Sequence, residues 1–361
     1  FDEEFFRQAL WEHFIFPYLT NTEGNSRLDV LNFVTLVHAF RNNSINIEKN
    51  DEGKMTFRLE SLARANSFES ENPHEAIADV ETTMKLLQTL LSRNSDLFKV
   101  FISNSFPRKL ERRIQDEQVF TLHNYLFNQH RVYLVKNLMK HPCYKNQLIG
   151  FDLKYDTSEI VSYDLESLSE VFKNKSFFRK IKLNKQPSVF DKAFSRNKVP
   201  YSDISDDEIN LKCKQLEDKE FLQRLETILN KESLDFSENQ SQEIKYEEET
   251  IYSQNLNFQD TQMMNRFHDE KWDKKWFFAE KFKDQRLRFF AARHIFRNSP
   301  ESLPRKIFDF LHQKISDRLC SLNKESYMTI PAAMEEADSL SLEIEENDLG
   351  IDLKEQIDQY N

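Results

Sequence analysis

Histidine and acidic side chains gathered in one stretch are the residues of this chain best suited to hydrolytic chemistry. His74 and Asp79 fall in FRLESLARANSFESENPHEAIADVETTM, which runs from Phe57 to Met84. An imidazole that takes a proton and a carboxylate that holds a metal are what metal-assisted phosphodiester hydrolysis requires. The same spacing also arises from a His near a helix start and an ordinary Asp on a helix flank, so spacing alone leaves both readings open. Asp2 and Glu3, in the opening FDEE, add two acids, which in a first helical turn also complement the helix dipole. Arg58 carries a planar fork suited to a phosphate, or could pair with the nearby Glu60.

The elements that must position these residues follow from periodicity. Ile77, Val80, Met84, Leu87 and Leu91 recur at helical intervals and predict one apolar stripe packed on a neighbour. Pro73 stands just before the start, where its missing N–H costs nothing. Asp79 is expected at the edge of the packed face, with His74 about one and a half turns nearer the N-terminus and able to reach the same cleft. Upstream, Phe5, Phe6, Leu10 and Phe14 predict one face of a helix. A second helix near Asp29 to Arg41 turns Val30, Phe33, Val34, Val37 and Phe40 inward, with Asp29 as its N-terminal cap. The chain opens inside a helix pattern with no lead-in strand, and so reads as starting within a domain. Residues 1–94 predict four helices and no strand.

After Asn94 the texture changes. VFTLHNYLF, HRVYLVKNL, NQLIGFDLKYD and IKLNKQPSV read as short strands separated by polar turns, which suggests a small barrel or half-open sheet. From Asp206 the pattern is helical again, with Leu211, Leu216, Phe221, Leu225 and Ile228 inward. FSENQSQEIKYEEE, residues 236–249, reads as a polar acidic linker. Beyond it, NRFHDEKWDKKWFFAEKF and QRLRFFAARHIFR interleave aromatic and basic residues in an all-helical region ended by Asn298-Ser-Pro300. That mixture could stack bases or receive an acidic peptide, or simply be a helix-bundle core with a charged exterior.

Composition narrows the class. The chain has 361 residues, enough for two or three domains. No apolar run approaches the ~20 residues that span a bilayer. Four glycines leave no room for a Gly-rich phosphate loop. The three cysteines, Cys143, Cys213 and Cys320, lack metal-ligand spacing and read as reduced thiols of a cytoplasmic protein. The 32 phenylalanines predict a helix-rich, Phe-packed interior. Net charge is −11, yet residues 171–200 hold nine Lys or Arg against Asp191. Residues 331–361 hold ten acids against Lys354. A basic stretch on an acidic protein could hold a phosphate backbone locally, or could be a solvated charged face.

In order and spacing, FDEE with Arg7, Pro17-Tyr18, NSRLD at Asn25 to Asp29, FRLE at Phe57 to Glu60, ARAN at Ala63 to Asn66 and HEAIADV at His74 to Val80 resemble the bacterial exodeoxyribonuclease I family. LIGFDL, LNKQPS and ARHIFRNSPESL are weaker echoes downstream. The resemblance implies an α+β multidomain protein. Its parts would be the helices of a partial ribonuclease H-like exonuclease domain over 1–94, a small Src-homology-3-like β-barrel over 95–235, and a C-terminal all-α domain over 250–361. It implies 3′–5′ degradation of single-stranded DNA to 5′-mononucleotides, in DNA repair and recombination, with two Mg²⁺ ions. It assigns Asp2 and Asp79 as metal ligands, His74 as the catalytic base, and Arg58, Arg7 and Tyr18 to the DNA, and leaves Asp29 outside the ligand set. The implied partners are single-stranded DNA and the acidic tail of single-stranded-DNA-binding protein, with a monomer and no membrane. The family's first motif, an Asp-x-Glu on an opening strand, has no counterpart at the start of this sequence. The chain therefore reads as an N-terminally truncated piece, inactive alone, and a non-catalytic DNA- and protein-binding module is the rival reading.

Overall fold

Runs of Val, Leu, Phe and Tyr between residues 119 and 191 form one antiparallel five-stranded sheet, and helices make up most of the rest. A computed structural model describes residues 2–41, 43–50, 52–68, 75–174, 177–239 and 246–347. The chain divides into two units, residues 1–19 with 243–361, and residues 20–242. The first unit opens with α1 (Asp2–Glu12). The second begins with α2 (Val30–Phe40), α3 (Leu59–Ala65), α4 (Ala76–Arg93), α5 (Ser95–Ser103) and α6 (Pro107–Glu117). There follow β1 (Val119–Leu126), β2 (Gln129–Lys140), β3 (Gln147–Asp152), α7 (Ser158–Ser162), α8 (Leu165–Lys173), β4 (Phe178–Lys182) and β5 (Ser188–Asp191). It closes with α9 (Ala193–Arg196), α10 (Asp206–Gln215) and α11 (Lys219–Asn239). The first unit resumes with α12 (Phe258–Asp269), α13 (Trp272–Ala279), α14 (Gln285–Asn298), α15 (Arg305–Leu319) and α16 (Ile330–Asn347). No helix among the described residues is long and apolar enough to cross a membrane.

The sheet runs β4-β3-β2-β1-β5, antiparallel throughout. Successive side chains point to opposite faces of a strand, and both faces here are covered. Leu134, Ile149 and Phe178 pack with Phe172 of α8 and Leu225 of α11. Their neighbours Val135, Leu148 and Ile181 pack with Leu110 and Ile114 of α6. β3 is accordingly buried along its whole length. Gly150 lies within it because a Cβ there would meet Cγ1 of Val135 at 2.3 Å. Phe127 and Asn128 join β1 to β2 with φ of 53° and 58°, the left-handed pair of a two-residue turn that matches strand twist.

The helices ahead of the sheet share a core of Phe33, Val37, Leu86, Leu90 and Phe101, which reaches Phe190 of β5. Asp29 caps α2 as expected, accepting from the N–H groups of Leu31 at 2.9 Å and Asn32 at 3.4 Å. The stripe expected of α4 is corrected. Ile77, Val80 and Met84 are exposed at 74%, 62% and 50%, and Ala78, Thr82, Leu86 and Leu90 are the buried line. Small residues at 78 and 82 let α4 lie close to α2 and α3, which turns the bulkier Ile77, Val80 and Met84 outward. Leu211 is likewise exposed, and Ile209 takes its place on the inward face of α10.

In the first unit, Phe5 and Phe6 are exposed, whereas Arg7 and Trp11 of α1 and Phe14 in the turn after it are buried. Trp11 meets Phe290 edge-on at 4.9 Å, and Phe14 meets Phe267 and Phe282 at 5.0 and 5.2 Å. Each such pair contributes about 0.5–1.5 kcal/mol beyond its burial. The stretch expected as a linker is structured at both ends. α11 runs to Asn239, and Glu247–Tyr252 forms a 3₁₀ turn. Glu248 in that turn is ion-paired with Arg293 and with Arg318, the latter at 3.0 Å.

Candidate functional site

Asp79 stands in the first turn of α4. It is exposed on the side where Ile77 and Val80 also face outward, not at the edge of the packed face. Its backbone N–H donates to the Glu75 carbonyl at 3.0 Å, and its own carbonyl accepts from the Thr83 hydroxyl at 2.8 Å. Among the described residues its carboxylate has no hydrogen bond or ion pair. His74 lies outside the described residues. Asp2 opens α1 of the other unit, and its side chain also lies outside them. No group of three or more His, Cys, Asp or Glu among the described residues could hold a metal ion. One carboxylate does not make a magnesium centre, because two divalent ions need several acids to offset their charge.

Arg58 is the N-cap residue of α3, in extended backbone conformation with φ −64° and ψ 140°. Its guanidinium is exposed and has no partner among the described residues, so the pairing with Glu60 considered from sequence does not form. Arg64, at the other end of α3, is held by both carboxylate oxygens of Glu48 at 3.0–3.2 Å. Both arginines line a cleft of about 730 Å³ with Leu31, Phe57, Tyr125 and Asn128. The Tyr125 hydroxyl is buried with no hydrogen-bond partner among the described residues. Phe57 meets the Tyr125 ring edge-on at 4.8 Å. At the adjoining hairpin tip Phe127 is 90% exposed.

Arg7 and Tyr18 come together in the first unit. The Arg7 guanidinium lies 5.6 Å from the Tyr18 ring centre and pairs with Glu3 at 3.0 Å and Glu4 at 3.5 Å. The Tyr18 hydroxyl donates to the Ile251 carbonyl at 3.0 Å. Burial raises the Tyr18 hydroxyl above its usual pKa, against the lowering influence of Arg7 and Arg286. Arg7 is buried and already engaged with acids, unlike the exposed fork of Arg58.

The basic stretch 171–200 is not one uniform phosphate-facing strip. Arg179 pairs with Asp152 at 2.9 Å, Lys180 with Glu232, and Arg196 with backbone carbonyls of Tyr201 and Ile204. Lys173, Lys182, Lys185 and Lys192 remain exposed.

Three histidines were missed from sequence. His38 Nδ1 lies 2.8 Å from His130 Nε2, and His130 Nδ1 lies 3.1 Å from His123 Nε2. His123 and His130 flank the two-residue turn, and His130 pairs in register with Tyr125, two residues from His123. Recognising that hairpin would have marked them as diagonal cross-strand neighbours. Nothing local in the sequence brings in His38 of α2. Burial lowers the pKa of all three, to about 3 for His123 and about 4 for His130.

No protein-family model matches the chain. It is 33% identical over 177 residues to exodeoxyribonuclease I of Haemophilus influenzae, covering 46% of this chain and 37% of that protein. It is 33% identical over 175 residues to exodeoxyribonuclease I of Escherichia coli, covering 47% and 37%. The matched region thus spans well under half the length of these relatives. In fold, the chain is similar to crystalline E. coli exonuclease I in complex with a dA16 oligonucleotide. The TM-score is 0.70 at 20% identity, covering 100% of this chain and 77% of that one. The ExoI/SSB-Ct complex gives the same values. Exonuclease I from Methylocaldum szegediense gives a TM-score of 0.69 at 20% identity, covering 94% and 73%. The chain is thus similar in sequence, over just under half of its length, to bacterial exodeoxyribonuclease I, and similar in fold to exonuclease I.

Proposed function

We propose that the chain acts on single-stranded DNA as part of a 3′–5′ exodeoxyribonuclease, with the cleft at Arg58 holding the strand. The observation that carries this reading is the free fork of Arg58 on an aromatic-lined cleft, beside an Arg64 already occupied by Glu48. A guanidinium with no partner among the described residues is available for a bidentate phosphate contact, and Phe57, Tyr125 and the exposed Phe127 offer faces to bases. In this reading residues 1–94 are the C-terminal part of the exonuclease domain, residues 95–235, which hold the five-stranded sheet, are the small Src-homology-3-like barrel domain, and residues 250–361 are the C-terminal helical domain. Asp79 and Asp2 are metal ligands, and His74 is the base that takes the proton from the attacking water. The exposed carboxylate of Asp79, unpaired among the described residues, is what a ligand requires. Tyr18, stacked over Arg7, belongs to the strand-holding set of the first unit. The acidic tail of single-stranded-DNA-binding protein is the proposed protein partner, in keeping with the solved complex of a fold neighbour. Free cysteines fit a cytoplasmic protein.

The test is binding of labelled oligo(dT) to the full chain in EDTA. Arg58→Ala should weaken it about tenfold, the value of one charged hydrogen bond, and flatten the log–log salt dependence by about 0.7. Unchanged affinity and slope would remove Arg58 from the site. A non-catalytic binding module has the same cleft and differs in turnover. In the full-length protein, release of mononucleotides from 3′-labelled single strands with magnesium, abolished by His74→Ala, selects the enzyme; binding without release there selects the module.

A further inference from the structure

We propose that the imidazoles of His38, His130 and His123 form a neutral hydrogen-bonded chain that positions Phe57, and through it Arg58, at the nucleic-acid cleft. This rests on the reading of Arg58 as a phosphate-binding residue. The three imidazoles come from α2, β2 and β1, and their two N···N contacts of 2.8 and 3.1 Å tie the helical layer to the sheet. Phe57 sits against this tie. Its ring lies 5.5 Å from His38 and 5.9 Å from His130, edge-on to both, and edge-on to Tyr125. The next residue is Arg58, whose carbonyl accepts the N–H of Leu62 and so starts α3. A ring fixed at 57 fixes where the α3 N-terminus, and hence the Arg58 fork, enters the cleft.

Each N···N contact needs one N–H and one lone pair, which three neutral rings with concordant tautomers supply. A single proton on His130 could still donate to both neighbours, but a second proton would set two N–H groups against each other. The surroundings oppose even the first. From β1, His130 meets His123 and the Tyr125 ring; from α2 it meets His38; Lys198, after α9, adds a positive charge. Arg131 and Lys154 line the adjoining cleft of about 470 Å³, and among the described residues no carboxylate does. Asp152, which touches the Tyr201 of that lining, is taken up by the Tyr201 hydroxyl at 2.7 Å and by Arg179. Burial is the first cause that holds His130 to about 4 and His123 to about 3, both below the ordinary 6.5. Lowered values mean that the loosened state binds more protons. The tie is therefore fully present above about pH 6.5 and is lost as pH falls toward the folded values.

Two measurements test this on the full chain. In ¹⁵N imidazole spectra, His130 should stay neutral well below pH 6.5; a His130 that titrates near 6.5 overturns the neutral chain. In the oligo(dT) assay with EDTA at neutral pH, His130→Phe should weaken binding about fivefold, with His130→Gln, which keeps a donor and an acceptor, restoring it. In the Arg58→Ala background His130→Phe should have no further effect. An equal loss in both backgrounds overturns the positioning role. If Arg58→Ala itself changes nothing, the reading of Arg58 has failed and the positioning role falls with it, while the imidazole spectra still decide the chain. Should His130→Phe not fold, the acid titration of affinity needs no substitution at position 130. The gap between native protein and Arg58→Ala should narrow about fivefold between about pH 6.5 and 4, and a constant gap overturns the proposal.

Discussion

Arg58 and Arg64 flank the same short helix, and their partners give them different work. Arg64 and Glu48 form a two-pronged pair at the surface, with the arginine about half exposed. Such pairs are worth about 0.2–1 kcal/mol, so Arg64→Ala should lower stability by no more than that and leave oligo(dT) affinity nearly unchanged. A loss of affinity matching that of Arg58→Ala would show that the cleft uses both forks. Glu248 illustrates the opposite environment. Burial is the largest influence and would raise its pKa, but hydrogen bonding from Arg318 and the nearby charge of Arg293 outweigh it and hold the carboxyl below 4.5. A depressed carboxylate value stabilises the folded state above the ordinary pKa, and that contribution is lost as pH falls through the folded value. Unfolding midpoints of the native chain and Glu248→Gln should therefore differ most at neutral pH and converge in acid. A difference that grows in acid would contradict the assignment.

At the scale of elements, what was legible in the sequence depended on whether the deciding contact was local. The Asp29 cap is local, since its carboxylate meets N–H groups two and three residues on. Asp29→Ala should cost about 1 kcal/mol by urea unfolding, with no change in nucleic-acid affinity. The first three strands were also legible, because a sheet buried on both faces leaves near-continuous apolar runs such as QLIGFD, whereas IKLNKQPSV, read as one strand, holds the end of β4, a 3₁₀ turn and the start of β5. The packed face of α4 was not legible. Two lines on that helix could be buried, and the one with more apolar surface lost to Ala78, Thr82, Leu86 and Leu90 because α2 and α3 approach closely at small residues. The basic stretch 171–200 misled for a similar reason: Asp152 and Glu232, which absorb Arg179 and Lys180, lie 27 and 52 residues away in sequence. His38 is separated from His130 by 92 residues, and no periodicity links them. Arg58 was readable as a phosphate candidate, but that its fork would be free and that of Arg64 occupied is set by Glu48 across a loop.

At the scale of the whole molecule, α1 shares its core with the C-terminal helices, far away in sequence. Trp11 and Phe14 pack with Phe267, Phe282 and Phe290 in one apolar cluster. The sheet unit closes its own clusters around Phe151, Phe221 and Leu225, around Ile114 and Val135, and around Phe33 and Leu90. Each unit thus has a self-contained core, which is the condition for a cooperative transition of its own. Large-to-small changes in such cores cost about 2–5 kcal/mol, enough to move one transition far from the other. Leu225→Ala should lower the unfolding midpoint of the sheet unit, and Phe290→Ala that of the unit built on α1 and α12–α15. The Trp11, Trp272 and Trp276 indoles all belong to the latter, so tryptophan fluorescence reports that unit alone while circular dichroism sums both. Under urea the fluorescence midpoint should shift with Phe290→Ala and stay put with Leu225→Ala, and the dichroism curve should split in the opposite sense for the two variants. Coincident transitions that move together for both substitutions would mean that the two cores unfold as one.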